Sequence, residues 1–296
     1  MRSADPQADR APGGHSRRFP KDWLARASFP AWPVLPPLLS GLSVCLWLWA
    51  GSSPALAGHV TIVDDPDVDP ATVETVYQAI ETTLDLFREE FGLTLDHDVR
   101  LMLTANKENY TEALIRKSRH PRDVAAQRAD KSIGLSARGM IFEDIGRQNN
   151  VAEKIFVAAH ELTHQFQDQA SNGHHRPIVW ISEGVADCIA AKVVEQAGLG
   201  SIASYRKLWS RQLNSAAERP RLAQLHGVAD WAAAENHYGG NLIYRMGDMA
   251  VLQLIELRDE KALFAYFRRL QQMGFEQAFQ ESFGLDLRQF EQQTEQ

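Results

Sequence analysis

His160-Glu161-Leu162-Thr163-His164 places two imidazoles four residues apart with a carboxylate between them. On a helix, side chains four apart stand on one face with Cβ atoms about 5–6 Å from each other, close enough to share a tetrahedral zinc. Glu161 then projects to the flank of the pair, where a carboxylate can take a proton from a water held by the metal. A zinc that performs chemistry needs a third protein ligand and one open position. Asp168, His174 and His175 follow within a few residues. Their plain readings are a solvated, capping carboxylate and two solvent-facing loop histidines.

The element that must carry this motif is the clearest helix in the chain. From Val151 to Gln169 the apolar residues Val151, Ile155, Ala159, Leu162 and Phe166 recur at helical spacing and form one stripe, and the histidine pair lies off it. A polar loop, Ser171 to Pro177, separates it from a second helix running from about Ser182 to Gly198. Across its start stands Trp180-Ile-Ser-Glu-Gly-Val-Ala-Asp187, with 18 residues between His164 and Glu183.

With these residues the chain resembles the gluzincin metallopeptidases, the group of thermolysin and aminopeptidase N, in which H-E-x-x-H is followed by a helix bearing E-x-x-x-D. The gap of 18 is the aminopeptidase N spacing. The resemblance implies Glu183 as third zinc ligand and Asp187 as the acceptor behind a ligand histidine, His160 in the first instance. Elementary geometry agrees, since Glu183 and Asp187 are one turn apart on one face. Gly184 and Ala186 are small enough to let helices approach closely. A metzincin-type third histidine would fall at position 170, which is Ala170.

The resemblance spans roughly residues 95–292 and includes a tail, Gly274 to Phe290, like that of bacterial peptidase-MA-like domains. It also places an oxyanion-stabilising tyrosine in the helix opened by Asn236-His-Tyr-Gly-Gly. Tyr238 is the first candidate, with His237 and Tyr244 as alternatives and Tyr244 reading on its own as a core aromatic. One departure stands out. The G-x-M-E-N segment that binds the substrate amino terminus in aminopeptidase N relatives is missing, Gly139-Met140 being the nearest match, so aminopeptidase activity is not carried over. Ser136 to Phe142 reads either as an edge strand that pairs with a substrate backbone or as a plain structural strand.

Around this centre the expected fold is α+β. A sheet-bearing part, 58–150, precedes the zinc helices, 151–198, and a mainly helical part, 199–296. Asp69-Pro70 opens a helix that Gly92 stops, Val99 to Thr104 reads as a strand, and Asn106 caps a helix through Tyr110 and Leu114. Residues 117–132 are charged and read mostly as loop, and Gly134 to Phe142 contains a second strand. Further helices are expected near 203–214, 236–257, 259–271, 274–283 and 286–294.

The 296 residues are 44% apolar and carry a formal charge of −7. The first 57 hold six basic and three acidic residues, so the remainder, with 25 basic and 35 acidic, carries −10. An acidic body without a clustered basic face argues against nucleic acid as a partner. Residues 1–57 read as a secretory signal: a basic flank, an apolar run from Val34 to Ala50, and Ala55-Leu-Ala57 as the cleavage site. A retained anchor is the alternative, but the run is short for a span and contains two prolines. The expected location is therefore secreted or periplasmic, with no stable membrane association after cleavage. Only Cys188 would then remain, a small helix residue unable to form an intrachain disulfide. The leading expectation is a zinc peptidase acting on a peptide or protein substrate. Hydrolysis of another amide, such as a cell-wall cross-link, would use the same site. A non-catalytic, zinc-stabilised binding or assembly protein of the cell envelope is the rival class, and a metal-free helical scaffold the third.

Overall fold

The computed structural model describes residues 58–294, so the expected signal or anchor segment lies outside it. Among the described residues no helix is long and apolar enough to cross a membrane. The fold is α+β, with the strands in the first part and helices after them.

Four strands form one sheet in the order β1 (Val60–Asp64), β2 (Val99–Thr104), β4 (Met140–Asp144), β3 (Gly134–Ala137). The first three are parallel and β3 runs antiparallel to β4 at the edge. Strand alternation sorts the side chains by face. Leu101, Leu103 and Ile141 join the main core with α1 (Pro70–Leu86) and α4 (Val151–Ser171), whereas Met102 and Phe142 pack with Tyr110, Leu114, Ala125 and Ala129. The latter come from α2 (Lys107–Ser118) and α3 (Arg122–Lys131), so helices cover both faces.

Several expectations are corrected. The charged stretch 117–132 is not mainly loop, because α3 forms there and buries only Ala125 and Ala129. A face of two alanines gives almost no apolar signal, and the charged remainder is solvent-facing. The segment 134–142 is two strands of a hairpin that turns at Gly139 (φ 73°), so only its first half lies at the edge. Val151, expected in the buried stripe, is 49% exposed, because it is the first residue after the Asn150 cap. The single helix expected over 236–257 is α7 (Val228–Tyr238) and α8 (Gly240–Leu257), broken where Gly239 takes φ 90°. No L-residue continues a helix through that conformation, and glycine enters it freely. Strand β1 has no counterpart in the sequence reading. It is a half-exposed edge of five residues with an Asp-rich exit.

The remaining helices are α5 (Val179–Gln196), α6 (Ile202–Asn214), α9 (Glu260–Arg269), α10 (Phe275–Phe283) and α11 (Leu287–Thr294). Helix α5 lies between α4 and α8. Every residue from Val179 to Ala191 on it is buried, and so it shows little amphipathic pattern. Gly184 and Gly247 let α5 and α8 meet at backbone distance. A Cβ on Gly184 would stand 2.5 Å from the Gly247 carbonyl oxygen, and one on Gly247 would stand 2.8 Å from the Trp180 carbonyl oxygen.

Neither neighbour is a flexible side-chain tip, so Gly184→Ala must push two buried helices apart. Overpacking of this kind costs about 1–3 kcal/mol. We expect that loss in chemical denaturation, read as a lower midpoint for Gly184→Ala than for the wild type.

Candidate metal centre

Helix α4 carries His160 and His164 side by side, and α5 brings Glu183 to face them. The Nε2 atoms of the two histidines are 3.1 Å apart. Glu183 Oε2 is 3.4 Å from the His160 nitrogen and 3.5 Å from the His164 nitrogen. A tetrahedral zinc with arms of about 2.0–2.1 Å separates its ligands by about 3.3 Å. The three atoms therefore already stand at the spacing of ligands to one ion, and they form the group of potential metal ligands found among the described residues.

The partners behind the histidines fix their tautomers. Asp187 Oδ1 lies 2.7 Å from His160 Nδ1, and a carboxylate oxygen can only accept, so His160 Nδ1–H donates. Gln167 Oε1 does the same for His164 Nδ1 at 2.8 Å, while the Gln167 amide donates to the Ser182 carbonyl and its oxygen also accepts from the Ser182 hydroxyl. Both Nε2 lone pairs are thus turned toward each other and toward a carboxylate, and a cation is what such a group accepts. Electrostatics state the same demand. Burial opposes charge on His160, but its bonds to Asp187 and Glu183 outweigh that and favour a positive charge there. Burial also opposes the Glu183 carboxylate, yet His164 and His160 hold it well below the usual range.

Asp187 is itself held. Its second oxygen accepts from Arg245 of α8 at 3.0 Å, Arg245 also pairs with Asp248 at 3.1 Å, and its guanidinium lies 5.2 Å from the centre of the Trp209 ring.

Glu161 is 6% exposed and fills the space that Gly134 of β3 leaves empty: a Cβ there would lie 2.4 Å from its Oε1. Burial raises its pKa, Glu183 adds to this, and the two histidines and Arg176 pull the other way. Strand β3 is fastened to α4 by Gln165. Its amide nitrogen donates to Ser136 Oγ (2.5 Å) and the Ala137 carbonyl (2.8 Å), and its oxygen accepts from Gly139 N–H (2.9 Å).

The structure brings together His160, Glu161, His164, Glu183 and Asp187. Tyr238 ends α7, half-buried, with its ring 4.4 Å from that of His237, and makes no hydrogen bond to any of the five. Tyr244 lies one turn into α8, and several carboxylates of the site act on its hydroxyl, as Glu161 acts on Tyr110 and Asp187 on Tyr205. Burial, then Glu183, Glu235, Asp187 and Glu161, drive its pKa well up, and its ring meets Trp231 edge-on at 5.1 Å. His174 bonds the Ser171 carbonyl, and Asp168 pairs with Arg138 at 3.4 Å. His175 and Arg176 stand nearer the centre. Arg176 NH2 is 3.7 Å from Glu183 Oε1. Sequence reasoning missed Gln167, Arg245 and Arg176. The first two could have been found from helical spacing, three residues after His164 and one after Tyr244, but a loop arginine offers no such signal.

No family model matches the sequence, and none of the curated proteins does.

Behind Glu161, on β4, Glu143 is fully buried with one oxygen lacking any partner, and its pKa is pushed up to about 8 by burial and by Glu161. A carboxyl raised in the folded state stabilises the fold fully below its ordinary value of 4.5, and that contribution is lost as pH rises toward about 8. Every tenfold change in proton affinity on folding is worth about 1.4 kcal/mol. Glu143→Gln, neutral at every pH, is therefore expected to melt higher than wild type at pH 8 and alike at pH 4.5. Equal melting temperatures at pH 8 would refute the buried-acid description.

Proposed function

We propose that this chain is a zinc-dependent peptidase of gluzincin type, with His160, His164 and Glu183 holding the metal. The reading rests on one observation: two imidazole lone pairs and a carboxylate oxygen converge at ligand spacing with a buried glutamate at their flank. Two nitrogens and one oxygen suit zinc, and three protein ligands leave a position open. Bound there, zinc would supply Lewis acidity toward a water and a substrate carbonyl.

The chain's own residues supply the rest. Glu161 accepts the proton that the attacking water loses and passes it to the leaving amine. Its partly apolar seat against Gly134 raises its basicity for the task. Asp187 and Gln167 take the Nδ1 protons, which leaves Nε2 of each imidazole as the ligand atom and raises its basicity. Tyr244, whose burial and the nearby carboxylates Glu183, Asp187 and Glu161 keep its hydroxyl protonated, is our candidate to donate to a developing oxyanion, in preference to Tyr238. Strand β3 offers a rail for the substrate backbone. The Asp144 N–H donates to the Ile133 carbonyl, so by antiparallel alternation Gly134 and Ser136 turn their N–H and C=O groups away from β4, toward an edge with no further strand among the described residues. A peptide lying there would pass beside Glu161. We place the activity outside the cytoplasm, on the apolar run and Ala55-Leu-Ala57.

Metal analysis of the purified protein is expected to find about one zinc per chain, and His164→Ala to remove it and lower the melting temperature. Glu161→Gln should keep zinc and stability while turnover on a peptide library falls about a hundredfold or more. Tyr244→Phe should lose turnover on a similar scale, about a hundredfold, and Tyr238→Phe little. Full activity in Glu161→Gln would exclude it as the base. A zinc-loaded wild type that cleaves nothing would favour the assembly-protein reading.

A further inference from the structure

We propose that Arg176 is an anion anchor beside the metal position, and that the substrates of this site carry a carboxylate on a residue flanking the bond cleaved; this rests on the peptidase reading above. The loop of residues 172–178 joins the two ligand-bearing helices, reversing direction through Asn172 (φ 51°) and Gly173 (φ 85°). It delivers Arg176 to Glu183. The guanidinium approaches Oε1 at 3.7 Å while Oε2 of the same carboxylate faces His160 and His164. Arg176 is therefore one carboxylate's width from the point where the ligand lone pairs meet.

Its orientation is set by His175, whose Nε2 takes the Arg176 Nε–H at 3.1 Å. Arginine only donates, so this imidazole is neutral and bears its proton on Nδ1, a buried atom with no hydrogen-bond partner. Burial, with His164 and Arg176 adding to it, lowers the His175 pKa to about 3, in line with the acceptor role that the hydrogen bond gives it. The ε edge of the fork is thereby occupied, and the N–H groups of its two terminal nitrogens make no hydrogen bond among the described residues.

A guanidinium serving only to neutralise Glu183 would form a charge-assisted bond at about 2.7–2.9 Å. This one stands off at 3.7 Å with 35% of its side chain exposed. The surrounding charges are already matched, Asp168 by Arg138 and Asp187 by Arg245. A divalent ion on Glu183, with Glu161 ionised beside it, leaves the Arg176 charge in excess. A planar fork with free donors and unbalanced positive charge binds a carboxylate in two-point fashion.

The test uses zinc-loaded protein and peptide hydroxamates, which grip the metal and need no turnover. One matched pair, Ac-Ala-Asp-NHOH and Ac-Ala-Asn-NHOH, puts the carboxylate or its amide isostere on the acyl side. A second pair, malonyl hydroxamates of Asp-amide and Asn-amide, puts it on the leaving side. In one of the two pairs calorimetry should show the Asp compound binding about tenfold or more tighter, as expected for a charge-assisted hydrogen bond. Arg176→Gln should abolish that preference, and Arg176→Lys should restore part of it, with zinc content and melting temperature unchanged in both. Equal binding within both pairs, or a preference that survives in Arg176→Gln, would overturn the anchor while leaving the metal site standing. If no hydroxamate binds at all, the metal reading fails and the anchor with it.

Discussion

Two imidazoles and a carboxylate cannot sit 3.1–3.5 Å apart inside a protein unless something holds their lone pairs toward a common point and something positive joins them there. The first requirement is met from behind. Asp187 and Gln167 each take an Nδ1–H, which leaves Nε2 as the only free face of either ring. The second requirement is why the group could hold a metal ion, since a proton can satisfy it only by occupying one of the two Nε2 atoms.

Much of the molecule follows from keeping that geometry. Glu183 and Asp187 must come from one helix pressed against α4, so α5 is buried along most of its length, and its contact with α8 narrows to glycine on glycine. Arg245 reaches Asp187 from α8 because of that close approach. Without it, a buried carboxylate bonded to a neutral imidazole would carry an uncompensated charge. On the opposite flank Gln165, the residue after His164, satisfies both its donors and its acceptor on the β3–β4 hairpin. The same turn of α4 thus fixes His164 and the edge strand, and a shift of one would displace the other.

The parts of this plan that were legible in the sequence are those written with helical period. His160, Glu161, His164, Glu183 and Asp187 repeat at three and four residues on two helices, so their shared face could be read directly, and the structure puts them together. Legibility ended where a single residue reset the period. A continuous helix through 236–257 would treat Tyr238 and Tyr244 as members of one register, but Gly239 breaks it, and the two phenols belong to separate helices with different surroundings. Helix α3 was hidden for another reason. It contributes two alanines to the core, and burial of so little apolar surface leaves no pattern to detect. Arg176 was invisible because its position depends on the path of a loop, and no periodicity encodes that.

Two of the buried polar atoms left without partners lie close to the cluster. Glu143 Oε1 and His175 Nδ1 lie in the electrostatic field of Glu161 and His164 respectively. Elsewhere on α4 the polar side chains are satisfied: Thr163 and Ser171 bond carbonyls one turn back, and Gln165 and Gln167 use both ends of their amides. An unsatisfied buried polar atom costs on the order of 1–3 kcal/mol, a large fraction of the stability of an ordinary domain. The fold meets its hydrogen-bonding needs along α4 and leaves these two atoms unmet on either side of the His160, His164 and Glu183 cluster. Glu143 is fully buried near Glu161 and adds no charge while protonated. His175 stays neutral so that the Arg176 fork faces one way. Both are weak points of the fold in isolation, and both act on a group that touches the proposed reaction.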